Sequence, residues 1–92
     1  MKKIWKYDLK FADGVQEILM PEEAKILTVA LQNNTPVIWA EVKPERSVNI
    51  RRFFVYATGQ SINEASYNRE YIGTFQIAGV FGPLVGHVFE LL

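Results

Sequence analysis

The chain predicts an all-β fold: a single small antiparallel β-sandwich or partly open barrel of about seven strands over residues 1–92. Three observations predict it. Short runs rich in Ile, Val, Phe, Tyr and Trp recur along the whole sequence. Turn pairs separate them: Asp13-Gly14, Asn33-Asn34, Pro44-Glu45 and Gly82-Pro83. No segment carries the long helical period that would call for a βαβ architecture.

The elements follow in order. The first strand spans 2–10, with Trp5, Tyr7 and Leu9 on one face. Asp13-Gly14 accepts positive φ at both positions and gives the strongest hairpin signal. The second strand, 15–20, stops at Pro21, which has no N–H for a ladder. Residues 21–24 are read as one helical turn with Pro21 at its first position. In the third strand, 25–32, Leu27, Val29 and Leu31 form the core face, and Ile26, Thr28, Ala30 and Gln32 the other. In the fourth, 36–43, Ile38, Ala40 and Val42 point to the core, and Val37, Trp39 and Glu41 away.

In the fifth strand, 48–57, Arg51, Phe53 and Val55 alternate with Ile50, Arg52, Phe54 and Tyr56. Residues 58–70 are the longest polar stretch, read as a solvated crossover with a functional loop as the alternative. The sixth strand, 71–79, sets Tyr71, Gly73, Phe75 and Ile77 against Thr74 and Gln76. Gly73 permits a bulge or a close backbone approach. The seventh, 84–91, alternates Val85, His87 and Phe89 with Gly86 and Val88, and runs almost to the end of the sequence.

Composition narrows the function. Ten Lys and Arg balance ten Asp and Glu, and the basic residues gather only at Lys2-Lys3-Lys6 and Arg51-Arg52. DNA or RNA is therefore a disfavoured partner. The chain has no cysteine, so it offers no disulfide, thiolate metal site or cysteine nucleophile, which fits a cytosolic protein. One histidine and scattered acids do not make a zinc site, and neither metal nor cofactor is expected. The charged start excludes a signal peptide, and no run reaches the ~18 apolar residues that span a bilayer. An apolar share of 49% in so small a domain points to a subunit interface and a homo-oligomer.

The candidate site residues come from the mixed faces. An aromatic and polar face suits a ligand surface or an interface better than plain solvent or plain core. Arg51 and Arg52, on opposite sides of one strand, are candidates for phosphate. Trp39 and Tyr56 are candidates to stack on a base, and Gln32, Thr74 and Gln76 to read polar edges. His87 is a candidate ligand contact, with a general base as the catalytic version. Each has a plainer reading: surface arginines, packed aromatics, a hydrogen-bonded core histidine.

A resemblance adds to this. Ile4-Trp5-Lys6-Tyr7, Met20-Pro21 with Ala24-Lys25-Ile26-Leu27, Gln32-Asn33 with Trp39-Ala40, Tyr56 with Thr58-Gly59, Tyr71-Ile72-Gly73-Thr74-Phe75-Gln76 and His87-Val88-Phe89-Glu90 follow one another in an order similar to that of small phage proteins grouped as a domain of unknown function. The resemblance covers nearly the whole chain and brings no catalytic motif. It implies a phage or prophage accessory protein acting in the host bacterial cytoplasm, of the kind that counters host defence. The leading expectation is a binding protein that sequesters a nucleotide-derived immune signal, cyclic or ADP-ribose based, without catalysis. The alternative is a protein–protein module that blocks a host protein or serves phage assembly.

Overall fold

Strands form where β-branched and aromatic residues cluster, and the chain turns where Asn, Gly or Pro eases the backbone. The computed structural model describes residues 1–62 and 68–92. Among these it holds β1 (Lys3–Asp8), β2 (Gln16–Pro21), β3 (Lys25–Gln32), β4 (Thr35–Val42), β5 (Val48–Ala57), β6 (Arg69–Gly79) and β7 (Gly82–Leu91), and no helix. Residues 63–67 of the polar stretch lie outside the described residues. β6 begins at Arg69 and takes in the last part of that stretch.

The strands make two antiparallel sheets, ordered β1-β4-β3 and β2-β5-β7-β6. The fold is an open, sandwich-like all-β structure rather than a barrel. Asn33 and Asn34, at φ 52° and 60°, close the β3–β4 hairpin. Val80 and Phe81 form the tip of the β6–β7 hairpin, one pair of residues before the expected Gly82-Pro83. The other turns do not make hairpins. β1 pairs with β4 and β2 with β5, so Asp13-Gly14 and Pro44-Glu45 carry the chain between sheets. Residues 21–24 form a β-turn and not a helical turn: Ala24 N–H donates to Pro21 C=O at 3.2 Å, with Glu23 at φ 66°.

The core lies between the sheets. Ile38, Ala40 and Val42 from β4 meet Met20, Phe53, Val55, Phe75 and Val88. Val37 faces outward yet is 1% exposed, because Lys6 reaches across β4 to hydrogen-bond Gln32 above it. Phe11, past the end of β1, stacks edge-on against Phe75 of the other sheet at 5.5 Å. The Asn34 amide ties the β3–β4 turn to β6: it accepts from Ala78 N–H at 3.1 Å and donates to Ala78 C=O at 3.4 Å.

Two bulges change which residues face in. β3 shifts register between Ile26 and Thr28, and β6 between Tyr71 and Gly73. A bulge adds a residue on one strand and so reverses the alternation beyond it. Ile26 and Ile72 turn toward the core. Leu27, assigned to the core by alternation, is 43% exposed, and Tyr71 is 56% exposed on the outer face. The two bulged strands meet edge to edge. A Cβ on Gly73 would stand 2.7 Å from Val29 Cγ1, so only glycine lets β6 come this close to β3.

Gly73→Ala forces a well-packed contact apart and is expected to cost about 2 kcal/mol in urea unfolding. Shortening the opposing side chain should relieve it, so Gly73→Ala with Val29→Ala should cost less than the two changes added together.

Tyr7 points into the same core. Its hydroxyl is buried and has no hydrogen-bond partner among the described residues. Burial holds the phenol above its ordinary pKa, since phenolate would be poorly solvated there. Tyr7→Phe removes an unsatisfied group and is expected to raise stability by about 1 kcal/mol near neutral pH. The pH dependence has a definite sign. The unfolded phenol ionises first, so native stability falls as pH rises past about 10. Tyr7→Phe should flatten that fall in denaturant titrations run at several pH values.

Candidate ligand-binding face

The outer face of the four-stranded sheet gathers side chains that a solvated sheet would not carry. Register sets Tyr56 of β5 opposite His87 of β7, and His87 opposite Thr74 of β6. Phe54 of β5 lies opposite Phe89 of β7, and Phe89 opposite Tyr71 of β6. Residues opposite one another share a face, so these rows run across three strands.

The aromatic row is continuous. Ring centroids are 4.4 Å apart for Phe54–Tyr56, 5.6 Å for Tyr56–Phe89 and 5.4 Å for Phe89–Tyr71. The Arg69 guanidinium lies 5.7 Å from the Phe89 ring centre, within cation–π range. Tyr56 is 6% exposed, while Tyr71 keeps over half of its surface open. The inner end of the row is packing, and the outer end is available.

A hydrogen-bonded chain runs beside the rings. Thr58 Oγ1 lies 2.8 Å from His87 Nε2. His87 Nδ1 lies 3.0 Å from Thr74 Oγ1, which lies 2.6 Å from the Tyr71 hydroxyl. Both ring nitrogens of His87 are therefore engaged. Gln76 follows Thr74 on the same face and is exposed.

The remaining candidates fall elsewhere. Trp39 and Gln32 lie on the outer face of the three-stranded sheet, on the far side of the molecule. Trp39 is half-buried beside Lys6, and the Gln32 amide accepts from Lys6. The structure does not bring them to Tyr56. Arg52 sits on the four-stranded outer face but is exposed and paired with Glu17 at 3.1 Å. Arg51 points inward. Its guanidinium grips Glu90 through Nε and Nη2, the latter at 2.9 Å, and donates from Nη1 to Ala24 C=O at 2.8 Å. The hydrogen bond to Glu90 holds its pKa above the ordinary arginine value despite burial. With its donors committed in this way, Arg51 serves the mouth of the sandwich, in a recess of about 290 Å³ that also touches Lys25, Glu70 and Tyr71.

Alternation alone overlooked Arg69, Tyr71, Phe89, Phe54 and Thr58. Phe54 and Phe89 share parity with Tyr56 and His87, so the signal for them was present. Tyr71 required the Gly73 bulge to be placed first.

Among the described residues, no three or more His, Cys, Asp or Glu gather as metal ligands, and no helix is long and apolar enough to cross a membrane. These features define the class: an open two-sheet β protein with an aromatic and polar outer face. The chain belongs to the family described as Domain of unknown function (DUF7352), whose model matches residues 1–92. Neither the search of curated proteins nor that of solved structures found a match. Membership agrees with the resemblance to a domain of unknown function.

The two arginines should contribute unequally to stability. Arg51 and Glu90 keep 21% and 8% of their side-chain surface exposed. Arg51→Ala leaves a buried carboxylate unpaired and is expected to cost about 3 kcal/mol. Arg52→Ala breaks an open surface pair and should cost about 0.5 kcal/mol or less. Urea titrations of both variants check this.

Proposed function

We propose that the chain is a non-catalytic binding protein whose outer four-stranded face takes a ligand with a flat ring and an anionic group, a nucleotide derivative being the class that fits. The observation that carries this is the Tyr71 ring, half open to solvent, hydrogen-bonded to the Thr74–His87 chain and packed beside Phe89, over which the Arg69 guanidinium lies. An exposed aromatic ring on a sheet accepts a base by stacking, with little regard to which base. The Gln76 amide and the Tyr71 hydroxyl can pair with its edges. Arg69 can meet a phosphate in bidentate fashion.

Binding is favoured over turnover by the state of His87. Thr58 and Thr74 occupy its two nitrogens, so the imidazole is engaged in a fixed chain rather than held ready for proton abstraction. In the fuller form of this reading the chain is a phage accessory protein in the host cytoplasm, capturing a cyclic or ADP-ribose-based signal and releasing it unaltered. The sequence resemblance supports that origin.

A thermal-shift screen against cyclic dinucleotides, cyclic mononucleotides and ADP-ribose derivatives tests it. A ligand at ~1,000 Kd stabilises the native state by about 4 kcal/mol. We expect a shift with one class, loss of that shift in Tyr71→Ala and in Arg69→Ala, and intact ligand after denaturation. No shift across the panel overturns the nucleotide reading.

One observation favours a protein partner instead. Val80 and Phe81 at the β6–β7 tip are 94% and 102% exposed. An apolar knuckle of this kind suits insertion into a protein groove. Retention of a host protein by the wild type, lost in Phe81→Ser with no nucleotide shift in either, would select that reading.

A further inference from the structure

The far edge of the four-stranded sheet carries a separate inference, independent of the ligand proposed above. Open sheet edges invite pairing, and natural proteins guard them with charges, bulges or proline. β1 is guarded by Lys3, Lys6 and Asp8. β3 and β6 are bulged and meet one another. β2 runs in regular register with β5, has no bulge, and carries Glu17 as its one charge. Pro21 blunts only its last position.

The free backbone groups of β2 follow from the ladder. Glu22 N–H donates to Ser47 C=O at 2.7 Å, one step beyond the Pro21–Val48 pair. Residues in an antiparallel strand alternate between bonding one neighbour and facing the other side. Gln16, Ile18 and Met20 therefore spend their N–H and C=O groups on β5. Glu17, Leu19 and Pro21 turn theirs to the other side, where no strand lies among the described residues. Pro21 loses nothing in the ladder for lack of an N–H.

Beyond the Glu17–Arg52 pair, the outer face beside this edge is apolar. Leu19 is 62% exposed, Ile50 opposite it 47%, and Val48 opposite Pro21 62%.

We propose that β2 pairs antiparallel with β2 of a second copy, with the two-fold axis at Ile18. Only registers that pair edge-facing, odd-numbered positions with one another form hydrogen bonds. An axis at Glu17 sets two carboxylates opposite each other, which is destabilising. An axis at Leu19 sets Glu17 against Pro21, which has no N–H to return the bond. An axis at Ile18 sets Glu17 against Leu19 of the second copy, and both residues use their N–H and C=O fully. Pro21 then only accepts, from Val15 of the second copy. Ile18 meets its own counterpart on the inner face and joins the two cores. The product is one continuous sheet, with order β6-β7-β5-β2 running into β2-β5-β7-β6. Its outer faces point the same way, because the axis is perpendicular to the sheet.

Sedimentation velocity on the full chain tests this. The wild type should sediment at twice the 10.5 kDa chain mass. Leu19→Glu places a second carboxylate opposite Glu17 and should give the monomer. Leu19→Lys places an ammonium there and should keep the dimer. Leu19 is exposed, so both variants should fold, which circular dichroism checks. A monomeric wild type overturns the proposal, as does a Leu19→Glu variant that stays dimeric. Monomers from both variants overturn the Ile18 register.

Discussion

The contact between Val29 and Gly73 is the constraint on which the rest of the molecule depends. It brings the edge strand of one sheet against the edge strand of the other without a ladder between them. Both strands bulge where they meet, and each bulge reverses the facing of the residues before it. Ile26 and Ile72 gain the core by this reversal, and Leu27 loses it. The same reversal moves Tyr71 from the interior, where simple alternation puts it, to the outer face beside Thr74 and Phe89. The candidate site exists in its present form because the seam is bulged.

The other end of that seam is polar. Glu90, on the inner face of β7, would be a costly buried carboxylate without Arg51. Arg51 binds it through two nitrogens and uses a third on Ala24 C=O, so it also fixes the turn between β2 and β3. One side chain thus spans both sheets at the mouth of the sandwich. A guanidinium held this way is a structural group, and the cation beside the aromatic row is Arg69 instead.

Much of the fold was legible in the sequence. Period-2 runs and turn residues located each strand to within about two residues, because strand alternation and turn chemistry are local properties. Ile38, Ala40 and Val42 faced the core as their spacing required. Pairing was less legible. Asp13-Gly14 has the chemistry of a hairpin turn, but partner choice for β1 and β2 is set by long-range packing, and each found its ladder in a different sheet. The grouping of residues on the candidate face was half legible. Tyr56, Thr74, Gln76 and His87 do share a face. Trp39 and Gln32 do not join them, since membership of one sheet or the other is a topological fact that no local pattern carries. Arg51 and Arg52 were rightly placed on opposite sides, yet Glu90 takes Arg51 into the interior and Glu17 pairs with Arg52 at the surface.

The His87 chain has a property that bears on any ligand at Tyr71. Hydroxyls both donate and accept, and a neutral imidazole does one with each nitrogen. The chain can therefore run in either direction. If His87 Nε2–H donates to Thr58, then Thr74 donates to Nδ1 and Tyr71 donates to Thr74, leaving the Tyr71 oxygen to accept from a ligand. If Thr58 donates to Nε2, then Nδ1–H donates to Thr74, Thr74 to Tyr71, and the Tyr71 hydroxyl is left to donate outward. The distances along the chain serve both directions equally. Reversal needs only hydroxyl rotation and a tautomer change, with no movement of the sheet. A face built this way presents either a donor or an acceptor beside the aromatic row without any change in the sheet.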